Sequence, residues 1–174
     1  MNNLVKEIAV SFNLNEMKDI INDAKNNILL RKMQGFSIQH RQNVHEPWNF
    51  VDGLEKLSIY KDTEEKDFSV INNKFLNTEF SSIIGKFNLY RSRILFMKEK
   101  SNYSLHSDLT WRLHIPIFSN KECFFYFPQH EKSFTLKEGK IYIVNTTETH
   151  TFINCSGKDR VHFVASIDIE DFSI

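Results

Sequence analysis

Two rhythms of apolar and polar residues divide the chain. Behind Asn15, Met17, Ile20, Ile21 and Ala24 recur at intervals of three and four, so the pattern predicts a short amphipathic helix over 15–25 with Asn15 as its N-cap. A second helix is predicted over 75–87, beginning near Asn77 or Thr78 and ending at Gly85. Between them, residues 42–66 are polar, contain a Pro and a Gly, and alternate weakly around 57–60, which reads as loop plus one short strand.

From Leu89 the rhythm changes to short runs rich in Phe, Ile, Val, Tyr and Thr, separated by polar or Gly-containing turns. Strands are predicted at 90–98, 103–106, 112–118, 122–127, 133–136, 140–145, 149–154 and 160–167. So many short strands with no helix between them predict a mainly β fold, an antiparallel sandwich or barrel of the jelly-roll kind, with the N-terminal helices packed outside. A single domain over 1–174 is expected, in which 1–88 supply helices and substrate-side elements and 89–168 form the jelly-roll core.

Charge narrows the choice of partner. The 22 lysines and arginines balance the 22 aspartates and glutamates, so no one-sign field gathers nucleic acid or anionic membrane, and neither is expected as a partner. The longest apolar runs, such as 123–127, fall far short of the roughly 20 residues a spanning helix needs. Two cysteines, Cys123 and Cys155, are too few for a disulfide scaffold, and neither has a visible base partner that would make it a nucleophile. The opening MNNLVKEIAV lacks the basic-then-apolar design of a secretory leader, so a cytoplasmic protein with free thiols is expected.

Candidate chemistry concentrates in the strand-rich half. In an extended segment, residues two apart share a face, so His106 and Asp108 can turn towards one metal ion. With a later imidazole, His150, they make the two-histidine, one-carboxylate set that holds Fe(II) on one face and leaves coordination positions open. Alone, His-x-Asp is a pattern that chance produces, and a polar pair at a strand edge is the alternative. Arg160 follows His150 by ten residues across a short turn, where a guanidinium fork suits the far carboxylate of a metal-bound oxoacid. Arg112 and His114 alternate with Trp111, Leu113 and Ile115, giving one apolar and one ionisable face; with Arg160 they suit a dianionic co-substrate. Arg91 and Arg93 share parity with Leu95 and Met97, and an inward Arg93 suits a substrate carboxylate, a surface arginine being the other reading. His162 either touches substrate or is a hydrogen-bonded core histidine, and Trp48 is placed in a loop covering the substrate. His40, His45 and His130 have no spacing that argues ligation.

Over 90–167 the sequence resembles the aspartyl/asparaginyl β-hydroxylase-like branch of the 2-oxoglutarate- and Fe(II)-dependent oxygenases, which includes bacterial free-proline hydroxylases. The resemblance rests on Arg91 and Arg93, His106 and Asp108, Arg112 and His114, Glu138-Gly139-Lys140, Asn145, His150 and Arg160, in that order. It implies a double-stranded β-helix, Fe(II) held by His106, Asp108 and His150, and 2-oxoglutarate held by Arg160 with Arg112 and His114. It also implies hydroxylation of a C–H bond with release of succinate and CO2, and no catalytic residue beyond the iron ligands. Asn145, Arg93, His162 and Trp48 are the residues expected near substrate. Where many members have a Pro-Gly pair before the metal motif, this chain has Lys98-Glu99-Lys100-Ser101, and unlike some animal members it keeps the carboxylate, Asp108. The expected partners are O2 and either a free amino acid or small carboxylate, or an amino-acid residue in a peptide. The alternative from another class is a non-catalytic jelly-roll module that binds a metal or small anion.

Overall fold

The structure, a computed structural model, describes residues 4–26, 34–43, 51 and 62–169. Chain order runs β1 (Val5–Ile8), α1 (Leu14–Asn26), β2 (Gly35–Ser37), β3 (Gln39–His40), β4 (Val70–Ile71), α2 (Glu79–Lys86), β5 (Tyr90–Met97), β6 (Ser101–Asn102), β7 (Trp111–Phe118), β8 (Cys123–Phe127), β9 (Lys132–Phe134), β10 (Ile141–Val144), β11 (Thr151–Asn154) and β12 (Arg160–Ile167). Two antiparallel sheets carry the fold: six strands in the order β1-β10-β7-β12-β5-β2, and four in the order β6-β11-β8-β9. This is the jelly-roll, double-stranded β-helix arrangement that the strand pattern predicted.

Period-two alternation gives the larger sheet two different faces. Outward go Leu113, Ile115 and Ile117 of β7, Val161, Phe163 and Ala165 of β12, and Ile141 and Ile143 of β10, which pack with Met17 and Ile21 of α1 and Phe80, Ile83 and Ile84 of α2. The Phe80 and Phe163 rings stack at 5.7 Å. Inward, Met97, Tyr142 and Val144 meet Cys123, Phe125, Phe127 and Phe152 of the smaller sheet in a second cluster. The ionisable residues of β5, β7 and β12 occupy that inner side as well, and they are what turns the space between the sheets into a site.

Several elements differ from expectation. The first helix starts at Leu14 and is capped by Asn13, whose Oδ1 accepts from the Glu16 amide at 3.2 Å, rather than by Asn15. The second is capped at Thr78 as expected but runs through Gly85 and ends at Lys86, where Asn88 takes the left-handed backbone (φ 49°) that closes the helix. Seven expected strands form within a residue or two of their predicted ends; the eighth, 103–106, does not. There β6 stops at Asn102, and His106 makes only a single antiparallel bridge to His150. The strand expected around 57–60 lies outside the described residues. The short strands β1 and β2 were not foreseen, because three or four residues show no readable alternation; β1 joins the sheet beside β10 and β2 beside β5. Among the described residues no helix is long and apolar enough to cross a membrane.

Candidate metal centre and active-site cavity

His106 and His150 face each other because their backbones pair, each amide donating to the other's carbonyl at 3.0 and 2.9 Å. Asp108, two residues further on, is pinned by its amide, which donates to Thr146 O at 2.8 Å. The result brings one ligand atom from each of the three within 4.8 Å of one another. Behind the rings, His106 Nδ1 lies 2.8 Å from Ser104 O and His150 Nδ1 lies 2.9 Å from Glu148 O. An N–H at Nδ1 donating to a carbonyl leaves Nε2 with a free lone pair, the tautomer a metal requires. Burial holds His150 below the ordinary histidine range, outweighing the Glu148 carbonyl, so it is neutral and ready to ligate. Burial alone would raise Asp108, but the charges of Arg112 and Arg93 prevail and keep it an anion. Two imidazoles and one carboxylate on one side of a cavity fit a divalent iron ion and leave room for further ligands.

The cavity beside this triad has a volume of about 540 Å³, and its lining includes Arg93, Arg112, His114, Tyr103 and Arg160. That size lies in the range of small-molecule sites. Arg160 is 1% exposed; its Nη2 meets His162 Nδ1 at 2.6 Å and its guanidinium lies 3.8 Å above the Phe152 ring. Its Nε and Nη1, and both ring nitrogens of His114, are buried with no hydrogen bond of normal geometry among the described residues, although Tyr103 lies near enough to favour the arginine's charged form. Buried polar atoms left in this state are costly unless something else satisfies them. Burial brings Arg160 down to about 10, still a cation at neutral pH. Burial and then the Arg160 charge hold His114 well below the usual histidine range, hence neutral. A fixed guanidinium fork with two open donors next to a neutral imidazole fits the far carboxylate of an oxoacid.

Arg112 is engaged differently. Its Nη1 and Nη2 donate to the two Glu65 carboxylate oxygens at 2.6 and 2.7 Å, its Nη1 also meets Thr110 Oγ1 and Ser166 Oγ, and its Nε donates to Asp108 Oδ2 at 3.1 Å. Each of its nitrogens thus has a partner within the protein, unlike Nε and Nη1 of Arg160. Glu65 itself is 5% exposed and also accepts from Arg91 Nη1 and Thr110 Oγ1. Burial raises its pKa, but Arg112, Thr110 and Arg91 together overcome this and hold it far below the carboxylate range.

Other residues singled out in the sequence fall as follows. Arg93 is buried against the cavity with Nη1 donating to Val51 O at 2.9 Å and Nε unpartnered; burial and the charges of Arg91 and Arg112 bring it down to about 9. Three steps along β5, from Tyr90 to Arg93, run against two steps of β12, a bulge in which Arg91 has φ 51° and its side chain reaches Glu65. His162 is fully buried behind Arg160, packed on Phe152 and His114, and does not line the cavity. Asn145 accepts from Thr147 Oγ1 at 2.5 Å and does not line it either, whereas its neighbour Thr146 does. Trp48 lies outside the described residues. Sequence reasoning passed over Glu65, Thr110, Ser166 and Tyr103. Glu65 sits in the run Glu64-Glu65-Lys66-Asp67, which reads as a solvated charged turn, and nothing local signals that one of its carboxylates is buried.

Comparison with known proteins agrees with this geometry. The family model for aspartyl/asparaginyl beta-hydroxylase matches residues 18–169. Among solved structures, an oxidoreductase of the 2OG-Fe(II) oxygenase family from Burkholderia pseudomallei aligns with a TM-score of 0.55 at 12% identity, covering 95% of this chain and 84% of that one. AviO1 from Streptomyces viridochromogenes aligns with a TM-score of 0.52 at 10% identity, covering 95% and 90%. At such identities the likeness is one of fold. No curated protein sequence is a significant match. With the family model spanning most of its length, the chain belongs to the aspartyl/asparaginyl beta-hydroxylase family, and so to the 2-oxoglutarate- and Fe(II)-dependent oxygenases.

Proposed function

We propose that the protein hydroxylates a C–H bond of a small carboxylate-bearing molecule, a free amino acid or close analogue, with 2-oxoglutarate and O2 converted to succinate and CO2. His106, Asp108 and His150 hold Fe(II), which with bound 2-oxoglutarate supplies the oxidising chemistry. Arg160 orients the oxoacid through its unpartnered Nε and Nη1, with His114 as a neutral neighbour and His162 fixing the guanidinium from behind. Arg112 acts on Asp108 rather than on the oxoacid, since its nitrogens are already engaged. Arg93 takes the substrate carboxylate. Phe125, Phe152 and Val164 line the same cavity and keep water from its inner end.

The observation that carries this reading is the presence of unsatisfied, buried donors on Arg160 in the same cavity as the ligand triad. The test is succinate release with Fe(II), 2-oxoglutarate and a panel of amino acids. Wild type is expected to release succinate in a substrate-dependent way, and His106→Ala to release none. Succinate release from both proteins at equal rates, or from neither with any panel member, would count against it.

A second reading, hydroxylation of a residue within a peptide, is favoured by the rim. Leu105 and Leu109, either side of the His-x-Asp motif, are 58% and 80% exposed, and Leu109 also lines the cavity. Under that reading a Leu109→Ser variant loses kcat/KM towards peptides and keeps it towards free amino acids.

A further inference from the structure

Glu65 reaches the cavity from outside the jelly roll, on a short 3-10 turn at Glu65–Asp67 that packs against β5. Its carboxylate ties together three strands: Arg91 on β5, Arg112 on β7 and Ser166 on β12, the last at 3.1 Å. The bidentate pair with Arg112 leaves only the Nε of that arginine for Asp108. The same cavity is lined by Arg91, Arg93, Arg112 and Arg160 but by only two carboxylates among the described residues, Glu65 and Asp108. A divalent cation placed at the triad therefore binds in a field of excess positive charge that opposes it, and in a buried, low-dielectric space that opposition is poorly screened.

We propose that Glu65 is a positioning residue for the metal centre: by neutralising Arg91 and Arg112 it keeps Asp108 a strong donor and sets the affinity of the triad for a divalent cation. Two effects act in the same direction. Without the Glu65 charge, Arg112 draws more electron density from Asp108 through its 3.1 Å hydrogen bond, and the uncompensated charge repels the cation directly. The turn carrying Glu65 is thereby coupled to metal occupancy, although it supplies no ligand. The inference rests on the triad being the metal site, and its test separates the two claims.

Mn(II) binding to the full chain, followed by loss of the free-ion electron paramagnetic resonance signal, reads the effect without turnover. Wild type is expected to bind and His106→Ala not to. Glu65→Gln is expected to bind about tenfold more weakly or worse, and Arg91→Gln, which removes an opposing charge, more tightly than wild type. The Glu65→Gln/Arg91→Gln double variant is expected to return towards wild-type affinity, a recovery that simple structural damage does not produce. If Glu65→Gln fails to fold by circular dichroism, Arg91→Gln alone decides. No binding by wild type would remove the metal-site reading and the inference with it. Binding by wild type together with unchanged affinity in folded Glu65→Gln, or with no tightening in Arg91→Gln, would overturn the Glu65 role alone.

Discussion

The nitrogens and oxygens that face the cavity are aimed by partners behind them: Ser104 O for His106, Glu148 O for His150, Arg112 for Asp108 and His162 for Arg160. Aiming has a measurable cost when removed. Arg160→Ala is expected to raise the KM for 2-oxoglutarate by about ten- to a hundredfold, the equivalent of roughly 1.5–3 kcal/mol for hydrogen bonds to a charged group, with a smaller change in kcat. Steady-state kinetics with varied 2-oxoglutarate check this, and an unchanged KM would remove Arg160 from the oxoacid site. Arg160→Lys keeps the charge but loses the fork, so only partial recovery is expected. The His-x-Asp pair, the distal His150 and Arg160 were legible only as an ordered set, each element weak by itself, and the fold brings them to one cavity. The engagement of Arg112 was not, since its partner Glu65 lies 47 positions earlier in a polar run.

At the scale of elements, strand β12 is the central support, flanked by β5 and β7 and carrying Arg160 and His162 on one face and Val161, Phe163 and Ala165 on the other. Phe163→Ala empties space under Phe80 and is expected to destabilise the fold by about 3–5 kcal/mol, read from chemical denaturation. The edge strand β2 depends on Gly35, where a Cβ would run into the Ile94 carbonyl oxygen of β5. Gly35→Ala is expected to cost about 1–3 kcal/mol and to increase amide exchange in β2 while β7 and β12 stay protected. Long strands such as β7 and β12 were readable because eight residues display two faces. The segment 103–106 looked like a strand on composition, yet its neighbour β11 is only four residues long and leaves His106 a single bridge. That interruption lets the chain turn so that Asp108 is held by Thr146 instead of by a ladder.

For the whole molecule, two clusters with different chemistry share one sheet: an apolar layer under the helices, and an inner layer in which phenylalanines give way to arginines, histidines and carboxylates. The fold class followed from the strand rhythm, but the depth of the inner charge did not, because sequence shows charges balanced in number and not where they are buried. That burial ties stability to pH. The folded pKa of Glu65 lies far below its ordinary 4.5, so its contribution is complete above that value and is lost as pH falls towards the folded one. Asp168, lowered chiefly by Lys66, with burial opposing and Tyr90 adding to the lowering, acts in the same sense. The thermal midpoint is therefore expected to fall steadily as pH drops below about 4.5, and less steeply in Glu65→Gln; parallel curves for the two proteins would contradict the role of the buried carboxylate.

The most direct test of the central claim is an anaerobic titration of the metal-free protein with Fe(II) and then 2-oxoglutarate, followed by visible absorption. If His106, Asp108 and His150 hold iron and Arg160 holds the oxoacid, wild type develops the weak charge-transfer band of the chelate. His106→Ala shows none, and Arg160→Ala needs far more 2-oxoglutarate to reach the same band. A folded wild-type protein that binds Fe(II) and 2-oxoglutarate without the band, or an equal band in His106→Ala, would contradict the assignment.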